Sequence, residues 1–108
     1  MSINGDLMRG IAEPVILNLL NSKTMYGYEI IKLVNEKTNN AFQWKEGTLY
    51  PCLHRLEAAK LIESQWQIAD NGKRRKYYAL TKKGAAVLAD KKAEWSVFAR
   101  SVEVLLMA

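Results

Sequence analysis

Reactive side chains are scarce in this sequence. Among 108 residues there is one cysteine, Cys52, and one histidine, His54. A lone cysteine closes no intramolecular disulfide, which fits a reducing cytoplasm. The two residues stand about 200° apart around a helix, so they share neither a metal ion nor a proton. No paired Cys/His spacing suggests a metal site, no glycine-rich phosphate loop occurs, and the carboxylates are scattered. The expectation is no enzyme, no cofactor and no metal. Long apolar runs are missing too. Nothing approaches the roughly 18 residues a membrane span needs, and Met1 to Arg9 lacks the basic-then-apolar pattern of a signal peptide. What remains, with 49% hydrophobic and 25% charged residues, is ordinary for a soluble globular domain with a modest core.

What the sequence does have is one well-marked stretch, Gly47 to Ile62. Proline fits the first turn of a helix, where its missing N–H had no partner. Pro51 therefore predicts an N-cap at Gly47 or Thr48, with the Thr48 hydroxyl as the capping group. Leu49, Cys52, Leu53 and Leu56 then share one face, and Tyr50, His54, Arg55 and Ala58 the other. The second face mixes the group types that read base edges and phosphates in a major groove. The ordinary wet face of an amphipathic helix fits the same pattern.

The net charge of +5 is localised. Residues 1–44 carry four basic and four acidic side chains, and residues 84–108 three of each. Residues 45–83 carry nine basic and four acidic, hence the whole excess. A confined basic surplus is the footprint of a polyanion-binding surface, although a lysine-rich solvated face gives it as well.

In chain order, Leu7, Ile11, Val15, Ile16, Leu19 and Leu20 predict a first helix, which Pro14 either kinks or truly begins. Thr24 predicts the N-cap of a second helix with Gly27, Ile30, Ile31 and Val34 inward and Tyr26 near its exposed start. Asn39-Asn40 is a turn signal, and Ala41-Phe42-Gln43-Trp44 reads as a minor strand. After the central helix, Leu61 to Ile68 and Arg74 to Thr81 read as strands of a β-hairpin about Asp70-Asn71-Gly72. Its tip carries Lys73-Arg74-Arg75-Lys76, four adjacent cations with no acidic residue to answer them, which predicts phosphate or minor-groove contact. Tyr77 and Tyr78 fall on opposite faces, one of them core.

Three helices followed by a basic hairpin make a winged helix-turn-helix, with the third helix for the major groove and the wing for the flanking backbone. The expected fold is mainly α with a small β-hairpin. Residues 1–81 form the DNA-binding domain and 82–108 a long C-terminal dimerisation helix. The chain also resembles the PadR-like transcriptional regulators through Tyr26-Gly27-Tyr28-Glu29-Ile30, then Gly47-Thr48-Leu49-Tyr50-Pro51 with Arg55-Leu56-Glu57 and Leu61-Ile62. The likeness continues in Gly72 to Tyr78, Leu80-Thr81 and Gly84, covering nearly the whole chain in order. Double-stranded DNA is the partner this implies. Tyr50, His54 and Arg55 are the candidates for the groove, Lys45 and Thr48 for phosphates, and Lys73, Arg74, Arg75 and Lys76 for the wing, with Tyr26 touching the backbone. A docking module for another protein, built on the same winged-helix scaffold, is the alternative.

Beyond Gly84 no breaker interrupts the chain, which allows roughly 24 helical residues, about 36 Å at 1.5 Å per residue. Leu88, Trp95 and Val102 recur every seven residues, with Phe98 and Leu105 three further on and Lys91 spoiling one position. So long a stripe calls for a partner helix, hence a homodimer presenting two recognition helices to a palindromic site. Packing back onto the first helix is the other option. The resemblance is to the shorter branch of the family, some members of which are multidrug-sensing repressors. It implies that Trp95 stacks a planar aromatic ligand at the dimer seam, with Phe98 and Trp66 as further candidates, and Glu94 or Asp90 as counter-charge. Interface packing explains Trp95 equally.

Overall fold

A computed structural model describes residues 3–108; Met1 and Ser2 of the expected first domain lie outside the described residues. The first helix is two. A short α1 (Gly5–Met8) is capped by the Asn4 side chain, which accepts from the Asp6 N–H, and α2 (Ala12–Ser22) follows after Arg9-Gly10-Ile11. Pro14 is the third residue of α2, so it marks the start and kinks nothing. Next comes β1 (Met25–Tyr26), a strand that the sequence did not announce, and then α3 (Gly27–Lys37). Thr24 does not cap α3. The N-cap is Tyr26, whose N–H donates to Glu29 Oε1 at 3.3 Å, because pairing of Met25 and Tyr26 with a later strand leaves Thr24 outside the helix.

The expected strand at Ala41 to Trp44 does not form. Asn35 supplies what a strand partner would: its Oδ1 accepts the Trp44 N–H at 2.7 Å and its Nδ2 donates to the Trp44 carbonyl at 3.0 Å. The Trp44 indole is buried and donates to Met8 Sδ. This clamp delivers the chain directly into α4 (Glu46–Ala58), whose N-cap is Lys45. Thr48 is therefore inside the first turn and caps nothing, and Pro51 is the sixth helical residue rather than a first-turn one. Its ring leaves the Gly47 carbonyl without the usual intrahelical donor.

Helix α4 ends in a Schellman turn. The Lys60 N–H donates to the Glu57 carbonyl and the Leu61 N–H to the Leu56 carbonyl, with Lys60 left-handed at φ +64°. A side chain in that conformation is strained by about 1–2 kcal/mol. Lys60→Gly is expected to stabilise the protein by about 1 kcal/mol, a rise of about 4–8 °C in Tm. Thermal unfolding with no rise would show the turn to be unstrained.

The hairpin is as expected: β2 (Ile62–Ile68) pairs with β3 (Arg74–Leu80), and β1 adds to the far side of β3, giving sheet order β1-β3-β2, all antiparallel. Met25 faces Tyr78, and Tyr26 faces Tyr77. Tyr78 is the core tyrosine, and its hydroxyl is pushed above its ordinary pKa by burial first and by the Glu57 and Tyr50 charges second. Ile16, Leu17, Ile30, Leu49, Leu53 and Ile62 make the dry centre under the sheet and between the helices.

Finally α5 (Lys82–Leu106) starts at Thr81, whose Oγ1 accepts from the Gly84 N–H. The same hydroxyl lies 2.8 Å from the Lys60 carbonyl and 3.0 Å from that of Leu61, and Lys83 Nζ donates to the Ala59 carbonyl. A Cβ at Gly84 would overlap the Leu61 carbonyl, so only glycine allows this approach. Leu88 is buried against α2, so the domain covers the first member of the heptad stripe itself. Past it the helix projects, and the radius of gyration, 15.0 Å, exceeds the roughly 13 Å of a compact chain this long. Among the described residues no helix is long and apolar enough to cross a membrane.

Candidate nucleic-acid interface

Helix α4, the start of α3 and the wing enclose an open cleft of about 500 Å³. Tyr50 and His54 enter from α4, Tyr26, Gly27 and Tyr28 from the β1–α3 junction, and Lys73, Arg74, Arg75 and Lys76 from the wing. Among the described residues no carboxylate lines it. Tyr50 and His54, one turn apart, have ring centroids 6.5 Å apart. The Tyr50 hydroxyl occupies the place a Cβ at Gly27 would take, which explains why glycine opens α3.

The wing cations are held by aromatic rings. The Arg75 guanidinium lies 4.3 Å from the Tyr26 ring centroid, and Tyr26 packs on Tyr77 at 5.4 Å. On the opposite face Arg74 lies 5.1 Å from the Trp66 ring. Such stacking orders a guanidinium without using up its charge. The sequence expectation that no acid answers the quartet is wrong at one position: Lys76 Nζ stands 3.8 Å from Glu57 Oε1. Trp66 also departs from expectation, since within the chain it belongs to this cleft and not to the surroundings of Trp95.

Other candidates lie apart. Arg55 turns to the far flank of α4, where its Nε donates to Glu13 Oε1 at 3.3 Å and its Nη2 lies 3.2 Å from Cys52 Sγ. Thr48 lines that flank too, beside the α1–α2 junction. Lys45 is exposed at the α4 N-cap. Burial pushes the Cys52 thiol up, partly opposed by the Arg55 charge, so it packs as a neutral group. Among the described residues no cluster of His, Cys, Asp and Glu is arranged to hold a metal.

A second feature lies along α5. Trp95 and Phe98, with rings 5.9 Å apart, wall a groove of about 420 Å³ against Leu7, Ile11 and Pro14. Trp95 is 50% exposed, Phe98 59% and Leu105 80%. This apolar surface is one the single chain leaves in water.

The order of elements, the three-stranded sheet and the helix-plus-wing cleft define a winged-helix protein with a projecting C-terminal helix. Residues 16–90 match the transcriptional regulator PadR-like family. A transcriptional regulator from Clostridium thermocellum has a similar structure, with TM-score 0.86 and 35% identity over 94% of this chain and 98% of that one. A PadR-like transcriptional regulator from Bacillus cereus gives 0.83 and 32% over 95% and 98%. An uncharacterised protein of Lysinibacillus sphaericus is 36% identical over 96% of this chain and 95% of its own length. The chain belongs to the PadR-like family of transcriptional regulators.

Proposed function

We propose that this regulator is a homodimeric, sequence-specific DNA-binding repressor. The observation that carries this is the cleft, in which the exposed face of α4 and the ring-supported wing cations share a surface free of lining carboxylates. Tyr50 and His54 read the major groove. Lys45 and Thr48 take phosphates at the start of α4, and Lys73, Arg74 and Arg75 take them at the wing, with Tyr26 placing Arg75. Arg55 joins the groove contacts by leaving Glu13, an exposed pair that is worth little. The stripe Trp95, Phe98, Val102 and Leu105 is covered by a second copy, extending the packing that Leu88 begins, and two copies of α4 then face a palindromic operator. The test is a salt titration of binding to the DNA upstream of its own gene by fluorescence anisotropy. A fall of log K with log salt of about 0.9 per phosphate, resisting random-DNA competitor, is expected. Equal affinity for random DNA would remove the specific-repressor reading at that site.

The paired rings of Trp95 and Phe98 favour release of the DNA by a small planar aromatic ligand at the seam, with Glu94 and Asp90 nearby on the same helix for a cationic one. Trp95→Ala is expected to keep operator affinity within about tenfold, about 1.4 kcal/mol, while abolishing both tryptophan quenching and DNA release by planar aromatic cations. Loss of the dimer in this variant would show Trp95 to be structural.

A further inference from the structure

The run Lys73–Lys76 is uniform in sequence, but the fold singles out its last member. Glu57, one residue from the end of α4, accepts from Ser64 Oγ with one carboxylate oxygen, and its other oxygen stands 3.8 Å from Lys76 Nζ. Ser64 lies on β2 and Lys76 on β3, so a single α4 carboxylate grips both strands of the wing. The ion pair is about two-thirds shielded, each side chain being 34% exposed, whereas Arg55 in its pair with Glu13 is 61% exposed. Lys76 Nζ also lies 5.7 Å from the buried Tyr78 ring.

Position along the hairpin matters as much as pairing. The root is fixed by Ile62 and Tyr78 in the core, and Lys76 pairs with Trp66. Beyond that pair the strands run into solvent, with Ile68 76% exposed. Glu57 is therefore the last tie from α4 before the tip. We propose that Lys76 is a strut and Glu57 a positioning residue, together setting the angle at which Lys73, Arg74 and Arg75 meet the duplex. The inference rests on the DNA-binding reading above. A wing held at that angle before binding avoids the ordering cost of a loose one.

Two measurements test this. In salt titrations with the upstream DNA, Arg75→Met is expected to lower the slope by about 0.9, and Lys76→Met to leave it unchanged. In a Glu57→Gln background, where the ammonium is released, adding Lys76→Met is expected to lower the slope by about 0.9. A drop of that size from Lys76→Met in the unmodified chain would make Lys76 a phosphate contact and overturn the proposal. The second measurement needs no DNA. Residual dipolar couplings of the free full chain are expected to fit one orientation of wing and α4, and in Glu57→Gln to lose that common fit while each strand stays paired. A retained common fit would overturn the strut. An unmodified chain that shows no salt-dependent, competitor-resistant binding removes the DNA reading instead, and the couplings alone then decide the strut.

Discussion

Replacing Lys73, Arg74 and Arg75 together by alanine is expected to weaken operator binding by about 10²–10³-fold at 0.1 M salt, and to lower the salt slope by about 2.7. Among the described residues none of the three pairs with a carboxylate, and two are held ready on aromatic rings. All three are exposed or half-exposed, so their removal leaves the core intact. The loss comes from phosphate neutralisation, so it applies equally to specific and random DNA, and the ratio between them stays near its original value. Anisotropy titrations at several salt concentrations check this. A large loss of affinity with unchanged slope would mean that the alanines disturbed the wing itself.

The second large effect concerns α5. Val102→Asp with Leu105→Asp puts two carboxylates into the α5 stripe, at half-buried Val102 and at Leu105, which is 80% exposed. The isolated chain loses no core contact by this change, so its helical circular dichroism is expected to persist. The dimer is expected to dissociate in sedimentation at micromolar concentration. Affinity for a two-half-site operator then falls by about 10²–10⁴-fold as the second contact ceases to be intramolecular. A dimer that survives would place the seam elsewhere on the chain.

Much of this architecture could be read from local signals. The Asp70-Asn71-Gly72 turn, the alternation that buries Tyr78 beside half-exposed Tyr77, and the unbroken run after Gly84 all report their own conformation within a few residues. Local signals failed where a distant group decides. β1 is two residues long and exists because β3 offers it an edge, so Met25-Tyr26 carries no strand pattern of its own. Trp44 looks like part of a strand, yet its backbone is satisfied by an asparagine nine residues earlier. Pro51 suggested a later helix start, but that same clamp fixes the start at Glu46. In the candidate site the cations were legible and their partners were not. Glu57 precedes Lys76 by nineteen positions and Glu13 precedes Arg55 by forty-two, and neither distance leaves a spacing signature.

The joint at Thr81 makes α4 and α5 a single lever. Thr81, Lys83 and the close approach at Gly84 fasten the start of one helix to the end of the other through the carbonyls of Ala59, Lys60 and Leu61. In a dimer joined along α5, the seam is the fulcrum and the reading surface is the far end. The arm from Lys82 to the first seam residue, Trp95, is about 20 Å long at 1.5 Å per residue, so a tilt of about 10° at the seam displaces its other end by about 3 Å. That is about one base-pair step of roughly 3.4 Å. In the proposed dimer the pair of arms would work as a caliper, the crossing angle of two helices that touch no DNA setting which half-site spacing is accepted.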